Sequence, residues 1–164
     1  MQEKLEVFKK YVEENQDAFD RLAFSYTKNY DAALDVVQEA LLKSIDKLST
    51  LKNIDYLKTW FYRILVNEGL NYLRKNKRLV LVEDFEFEKS ELSSCDNIAE
   101  SIDMYSAVQA LEPKIRTVII LRFFEDMKLK EISKITKTNV STVKSRLRTP
   151  IHRRFGEPLP HQLS

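Results

Sequence analysis

Residues 128–148 read KLKEISKITKTNVSTVKSRLR, two short helical stretches broken by a polar turn. In the first, Leu129, Ile132 and Ile135 recur at three-residue steps and make one inward face. The break, Thr136-Lys137-Thr138-Asn139, is rich in residues that prefer caps and turns to helix interiors. Asn139 or Ser141 is placed to accept from the free N–H groups that open the second stretch. There Val143 and Leu147 sit one turn apart and point inward, leaving Thr142, Lys144, Ser145, Arg146 and Arg148 outward. One helix that braces and a second that presents hydroxyls and cations is the layout of a helix-turn-helix, whose second helix enters the DNA major groove. The competing reading is an ordinary helical hairpin with a solvated basic face.

The rest of the composition fits a helical protein. The chain has 164 residues, 43% hydrophobic and 32% charged, with only 2 Gly and 4 Pro. No stretch alternates Val, Ile and Thr between hairpin turns, so the class expected is all-α, in two small helical domains. No apolar run approaches the roughly 18 residues of a membrane span, and MQEKLEVFKK lacks the apolar core of a signal peptide, so a cytoplasmic protein is expected. A single cysteine, Cys95, has no partner for an internal disulfide or a CxxC metal site.

The net charge of +2 conceals strong segregation. Residues 1–57 hold 8 basic and 11 acidic residues, and residues 58–78 hold 6 and 1. Residues 83–103 then hold 1 basic and 8 acidic, and residues 128–154 hold 9 and 1. Two basic blocks separated by an acidic spacer point to two nucleic-acid contacts.

Taken in order, residues 5–28 form one helix, or two broken near Gln16-Asp17 with Asp17 as cap, and Leu5, Phe8, Val12, Phe19, Leu22, Ala23 and Tyr26 supply its apolar face. A second helix starts with Asp31 as cap and runs to about Leu48. Leu34, Val37, Leu41, Ile45 and Leu48 are expected to face its core. Asp35, Gln38 and Glu39 share another face with Val36 and Leu42 beside them, either a solvated surface or a dock for a basic helix. Without a nearby His or a second carboxylate helix they do not read as a metal site.

After a polar loop at 49–55, a helix spans Tyr56 to about Lys77. Trp60, Arg63, Asn67, Asn71, Arg74 and Arg78 form one stripe on it, and Leu57, Phe61, Ile64, Leu65 and Tyr72 the opposite side. An aromatic among cations suits single-stranded DNA, where bases stack and phosphates meet Arg, although Trp60 also reads as a core residue at the stripe's edge. LVLV at 79–82 closes the first core, and 83–103 reads as a partly disordered linker. Helices resume at about Met104 and carry Val108 and Leu111. Glu112-Pro113 opens the next, with Ile115, Val118, Ile119 and Leu121 through Phe124 as its apolar face.

Four stretches in order, DAALDVVQEALL, LKTWFYRILVNEGLNYLRKNKR, LEPKIRTVIILRFFEDMKLKEIS and VSTVKSRLR, resemble the extracytoplasmic-function (group 4) sigma factors of bacterial RNA polymerase. The resemblance runs from about Phe19 to Arg148, and RLAFSYTKN, WFYRILV and ILRFFEDMKLKEI look most like the sigma-V-like branch. It implies a sigma-2 domain over 1–82, the linker 83–103, a sigma-4 domain over 104–156 and an irregular tail, 157–164. It further implies that Asp35, Gln38, Glu39 and Leu42 dock on the beta-prime clamp helices, with the sigma-4 domain at the beta flap. Minus-ten DNA would meet Lys58, Trp60, Arg63, Asn67, Asn71, Arg74, Lys75 and Arg78. Minus-thirty-five DNA would meet Arg122, Ser141, Thr142, Lys144, Ser145, Arg146 and Arg148. No cofactor, metal or small-molecule substrate is expected, and an anti-sigma factor, membrane-anchored and answering envelope stress, is the implied regulator.

The sequence departs from the family in three places. Lys137 and Thr138 stand where the turn usually has a Gly and an apolar residue, which predicts looser packing. Asn71 replaces a common Asp. Pro150 and the tail GEPLPHQLS predict that the recognition helix kinks or stops near Arg148. A free-standing helix-turn-helix regulator would explain 104–148 but give the tryptophan stripe no role, and binding to core polymerase separates the two. An enzyme has little support: there is no Gly-rich phosphate loop, and His152 and His161 both lie near the C-terminus.

Overall fold

The computed structural model describes residues 1–80 and 107–155, with side-chain surroundings for 1–76 and 107–148. The expectations for the LVLV side chains, the acidic stretch, Cys95, the Arg78 side chain, both histidine side chains and the tail lie outside the described residues. The chain divides into two compact units, Met1–Ile98 and Ala99–Ser164. Every described element is helical, as expected.

The first unit is built from α1 (Gln2–Thr27), α2 (Tyr30–Lys47) and α3 (Leu57–Val80), with 3-10 turns at Leu48–Thr50 and Ile54–Tyr56. The expected break in α1 is a kink at Asn15, whose φ of −123° and ψ of 15° are non-helical. Its side-chain amide donates to the Tyr11 carbonyl at 2.8 Å, the local competition that makes Asn a poor helix-interior residue. Helix resumes at once, so Asp17 lies inside α1 and does not cap a second helix.

Lys28 ends α1 in the left-handed region (φ 53°), and its N–H donates to Phe24 O at 2.8 Å. Asn29, and not Asp31, caps α2: its extended backbone lets Oδ1 accept from Ala32 N at 3.0 Å. Asp31 falls in the first turn, where its charge suits the helix dipole.

Aromatic rings hold α1 to α3. Phe19 lies 4.6 Å from Phe61 and 5.5 Å from Tyr62 by ring centroids, and Phe8 meets Phe61 edge-on at 5.8 Å. Gly69 permits the close approach further along: a Cβ there would sit 2.2 Å from the Tyr26 ring. On α2 the buried residues are Ala33, Val36, Val37, Ala40 and Ser44. This corrects the expected inward face. Val37 and Leu48 are buried, but Leu41 is half-buried and Leu34 and Ile45 are exposed. Ala33, Ala40 and Ser44 face in together with Val36 and Val37, and the larger Leu34 and Ile45 beside them are turned outward.

In the second unit, residues 107–109 are helical, Pro113 opens α4 (Pro113–Ile119), and a π turn covers Ile120–Phe124. Asp126, left-handed at φ 51°, reverses the chain. Then α5 (Leu129–Thr136) and α6 (Val140–Phe155) form the helix-turn-helix. Leu129, Ile132, Ile135, Val143 and Leu147 are buried as expected, with Val118, Ile119, Ile120, Leu121 and Met127. Arg116, also buried, donates to the carbonyls of Gln109 and Leu111 and ties the preceding turn to α4.

α6 runs through Pro150 to Phe155, so the expected stop near Arg148 does not occur. The proline ring holds φ near the helical value. Its cost is one lost backbone hydrogen bond and a clash with the preceding turn, which can kink a helix without ending it.

Candidate functional site

Three surfaces emerge from this packing. The first is the outer face of α2. Because its small residues lie against α1 and α3, Leu34, Leu42 and Ile45 stand out at 36, 55 and 48% exposure. Asp35, Gln38 and Glu39 are exposed on the same side. An apolar ridge with carboxylates on its flank suits a partner helix that is apolar with basic neighbours. Lys43 reaches across to the buried Glu68 of α3 and locks the two helices together. That hydrogen bond, against a smaller opposing desolvation, holds the Lys43 ammonium above its usual pKa.

The second surface is the stripe on α3. Arg63 and Arg74 are exposed, Asn67 and Asn71 half-buried, and Arg74 donates to Asn71 Oδ1. Trp60 is half-buried, with its ring edge-on to Phe8 at 6.5 Å. It therefore belongs partly to the core and keeps part of its ring in solvent. Lys75 is exposed beside the stripe. Lys58 is exposed too, but two residues before Trp60 it lies roughly 160° around the helix, away from the stripe. In the loop before α3, Asn53 Oδ1 accepts from Asp55 N at 2.9 Å, and Lys4 of α1 donates to Leu51 O at 2.6 Å.

The third surface is α6. Asn139 Oδ1 accepts from Thr142 N and from the Thr142 hydroxyl, both at 2.8 Å. Of the two caps considered, Asn139 is the one used. Ser141, Ser145 and Arg148 are exposed at the front, Thr142 and Arg146 are half-buried along one flank, and Lys144 is half-buried on the other. Arg122 belongs to the π segment and not to α6: it donates to Met127 O at 3.0 Å and closes the turn that follows. Lys137 takes the left-handed conformation (φ 58°) usually left to Gly. The turn is closed by hydrogen bonds in place of apolar packing: Thr138 N and Lys137 N both donate to Ser133 O, and Ser133 Oγ donates to Thr138 O.

Two family descriptions match the chain in the order of its two units: Sigma-70 region 2 over residues 11–79 and Sigma-70 region 4 over residues 101–148. The RNA polymerase sigma factor SigV of Bacillus subtilis is 42% identical over 136 residues, 83% of this chain and 81% of that protein. The chain belongs to the extracytoplasmic-function group of the sigma-70 family. It is an alternative sigma factor. The ECF RNA polymerase sigma-E factor of Escherichia coli K12 is 31% identical over 69% of this chain and 66% of that protein. The sigma factor RpoE from Bartonella quintana, solved in complex with the anti-sigma factor NepR, superposes with a TM-score of 0.71 at 25% identity, covering 91% of this chain and 96% of that one.

Within region 2 of this sigma factor, sequence reading missed Leu34 and Ile45 as surface residues. A signal for them exists in hindsight. Apolar residues on α2 lie on two faces, one with Ala33, Val36, Val37 and Ala40 and one with Leu34, Leu42 and Ile45, which is more than one buried face needs. In region 4, the double acceptor role of Asn139 was not distinguishable from an ordinary cap. No described helix is long and apolar enough to cross a membrane.

Proposed function

We propose that the outer face of α2 docks on core RNA polymerase and that the two basic surfaces read promoter DNA, the protein itself performing no catalysis. The observation that carries this reading is the pairing, in one chain, of an exposed apolar ridge with acidic flanks on α2 and a basic recognition helix in α6. A free-standing DNA regulator has no use for the first.

Leu34, Asp35, Gln38, Glu39, Leu42 and Ile45 meet the beta-prime clamp helices. Trp60, Arg63, Asn67, Asn71, Arg74 and Arg78 face the melted minus-ten element, Lys75 meets phosphate beside them, and Lys58 meets phosphate at a separate point. Ser141, Thr142, Lys144, Ser145, Arg146 and Arg148 enter the minus-thirty-five groove, while Arg122 holds the turn beneath them and reaches phosphate at most. Residues 1–82 form the sigma-2 domain, 83–103 the linker and 104–156 the sigma-4 domain at the beta flap, with 157–164 a tail.

The factor works in the cytoplasm and is held inactive by an anti-sigma factor. The resemblance to sigma-V points to a membrane-anchored anti-sigma released under cell-envelope stress. The likeness to a sigma factor crystallised with its anti-sigma supports control by an anti-sigma factor, and no more than that.

The test is to mix the full chain with core RNA polymerase and look for a 1:1 complex by gel filtration, then for promoter-dependent transcripts. A chain that binds promoter DNA alone and never joins core polymerase would overturn this reading in favour of the free-standing regulator.

A further inference from the structure

The cap of α6 fixes the polarity of a side chain on the proposed minus-thirty-five helix. Asn139 Oδ1 receives the Thr142 backbone N–H, which can only donate, so the amide atom at that point is the oxygen and not the nitrogen. The Thr142 hydroxyl lies 2.8 Å from the same oxygen and must therefore donate to it. Its single proton is then committed. What remains for an external partner is two lone pairs.

A phosphate oxygen is an acceptor only, so a hydroxyl in this state gains nothing from the DNA backbone. In the major groove the donors are the N6 amino group of adenine and the N4 amino group of cytosine, whereas guanine N7 and O6 and thymine O4 accept. Thr142 lies on the same flank as Arg146, one turn before it.

We infer that Asn139 is a positioning residue that makes Thr142 an obligate acceptor, so that Thr142 selects adenine or cytosine over guanine and thymine at one position of the minus-thirty-five element. The inference rests on the proposed role of α6 as the minus-thirty-five helix. It goes further by assigning a base class to a residue and a cause to the assignment.

The experiment is transcription by core RNA polymerase and the full chain from a library randomised across the minus-thirty-five element. Wild type is compared with Thr142→Val, Asn139→Gly and Asn139→Asp. Glycine at a helix N-cap costs only a few tenths of a kcal/mol relative to Asn, so the Gly variant keeps the helix while removing the acceptor. Thr142→Val should lower the adenine-or-cytosine preference at one position by roughly fivefold, the worth of a neutral hydrogen bond. Asn139→Gly should broaden that same position by admitting guanine or thymine, because the freed hydroxyl can now donate as well. Asn139→Asp, still an acceptor, should keep the wild-type preference.

If Asn139→Gly lowers output equally for all sequences and leaves every preference unchanged, Asn139 is a cap and nothing more, and the inference falls. If Thr142→Val alters no preference, Thr142 does not read a base. Arg146→Ala and Arg148→Ala run alongside separate this failure from that of the underlying reading. Should neither change binding or preference, α6 is not the reading helix and both ideas fall together.

Discussion

The two units spend their surfaces differently. Among the described residues, the large apolar side chains left exposed lie in the first unit, with Leu34, Leu42 and Ile45 gathered on α2. The exposed front of α6 in the second unit carries Ser141, Ser145 and Arg148 instead. Exposed aliphatic groups gain free energy only by leaving water against another apolar surface, so the α2 face fits a protein. Hydroxyls and guanidinium groups keep their hydration until they meet phosphates and base edges, so the α6 face fits nucleic acid. The units also close differently. The first relies on aromatic rings and a glycine-permitted helix contact, the second on aliphatic knobs and a turn tied by hydroxyls.

The contrast is tested most severely at α2. Leu34→Asp with Leu42→Asp should weaken binding to core polymerase at least a hundredfold, since central apolar anchors cost about 2 kcal/mol or more each when lost. Far-UV circular dichroism should not change, because both residues are already exposed. Asp35→Lys with Glu39→Lys should act more weakly and depend on salt, as flank charges steer more than they anchor. Competition between labelled and variant protein for core measures both. A hydrophobic double variant that binds core normally would remove the distinction between the two surfaces.

Next in size, Gly69→Ala should destabilise the first unit by about 1–3 kcal/mol, because its methyl would overlap the buried Tyr26 ring. Two-step thermal unfolding, with only one step shifted, is the expected outcome. A variant as stable as wild type would mean that α1 and α3 can move apart freely.

Of comparable size is the effect of Arg146→Ala, which should cost roughly 1–3 kcal/mol and relax preference at one minus-thirty-five position. Lys144→Ala or Arg148→Ala should instead weaken all sequences alike and lower the salt slope by about one unit. A preference logo identical to wild type for Arg146→Ala would make it a phosphate contact as well.

The smallest effect concerns Asp20 on α1. Burial raises its carboxyl pKa above 3.8, against the opposing hydrogen bond from Gln16, with Asp17 adding to the rise. A raised folded pKa means that the group favours the folded state below pH 3.8 and that this contribution is lost as pH rises through the folded value. At neutral pH the charge is therefore a cost. Asp20→Asn should stabilise the first unit there by a few tenths of a kcal/mol, the effect being limited because water still reaches the carboxyl. Denaturation curves at pH 7 and pH 3 check this, and an Asn variant less stable at pH 7 would overturn it.

Much of the second unit was legible in the sequence. Leu129, Ile132, Ile135, Val143 and Leu147 are buried where periodicity placed them, because α5 and the described part of α6 each have one apolar stripe to bury. The turn was located by its cap-forming residues for the same local reason. The division of charge into a basic stretch at 58–78 and a basic helix-turn-helix at 128–154 is likewise a property of composition alone. The order of motifs carried the family, which the region 2 and region 4 matches establish.

Tertiary packing decided the rest. Which face of α2 turns inward depends on how closely α1 and α3 approach, and close approach selects Ala33, Ala40 and Ser44 over the bulkier Leu34 and Ile45. Hydrophobicity along a single helix cannot express that choice, because it ranks Leu above Ala wherever the neighbours are. Trp60 is held half in the core by Phe8, fifty-two positions away in the chain, and no local pattern reports such a contact. Pro150 forbids one hydrogen bond in the sequence, yet α6 continues past it, since whether a helix ends there depends on the whole helix and its packing and not on one missing donor. The orientation of the Thr142 hydroxyl needed the positions of three atoms. From the sequence alone Asn139 was one of two possible caps; in the fold it holds Thr142 by both its backbone N–H and its hydroxyl.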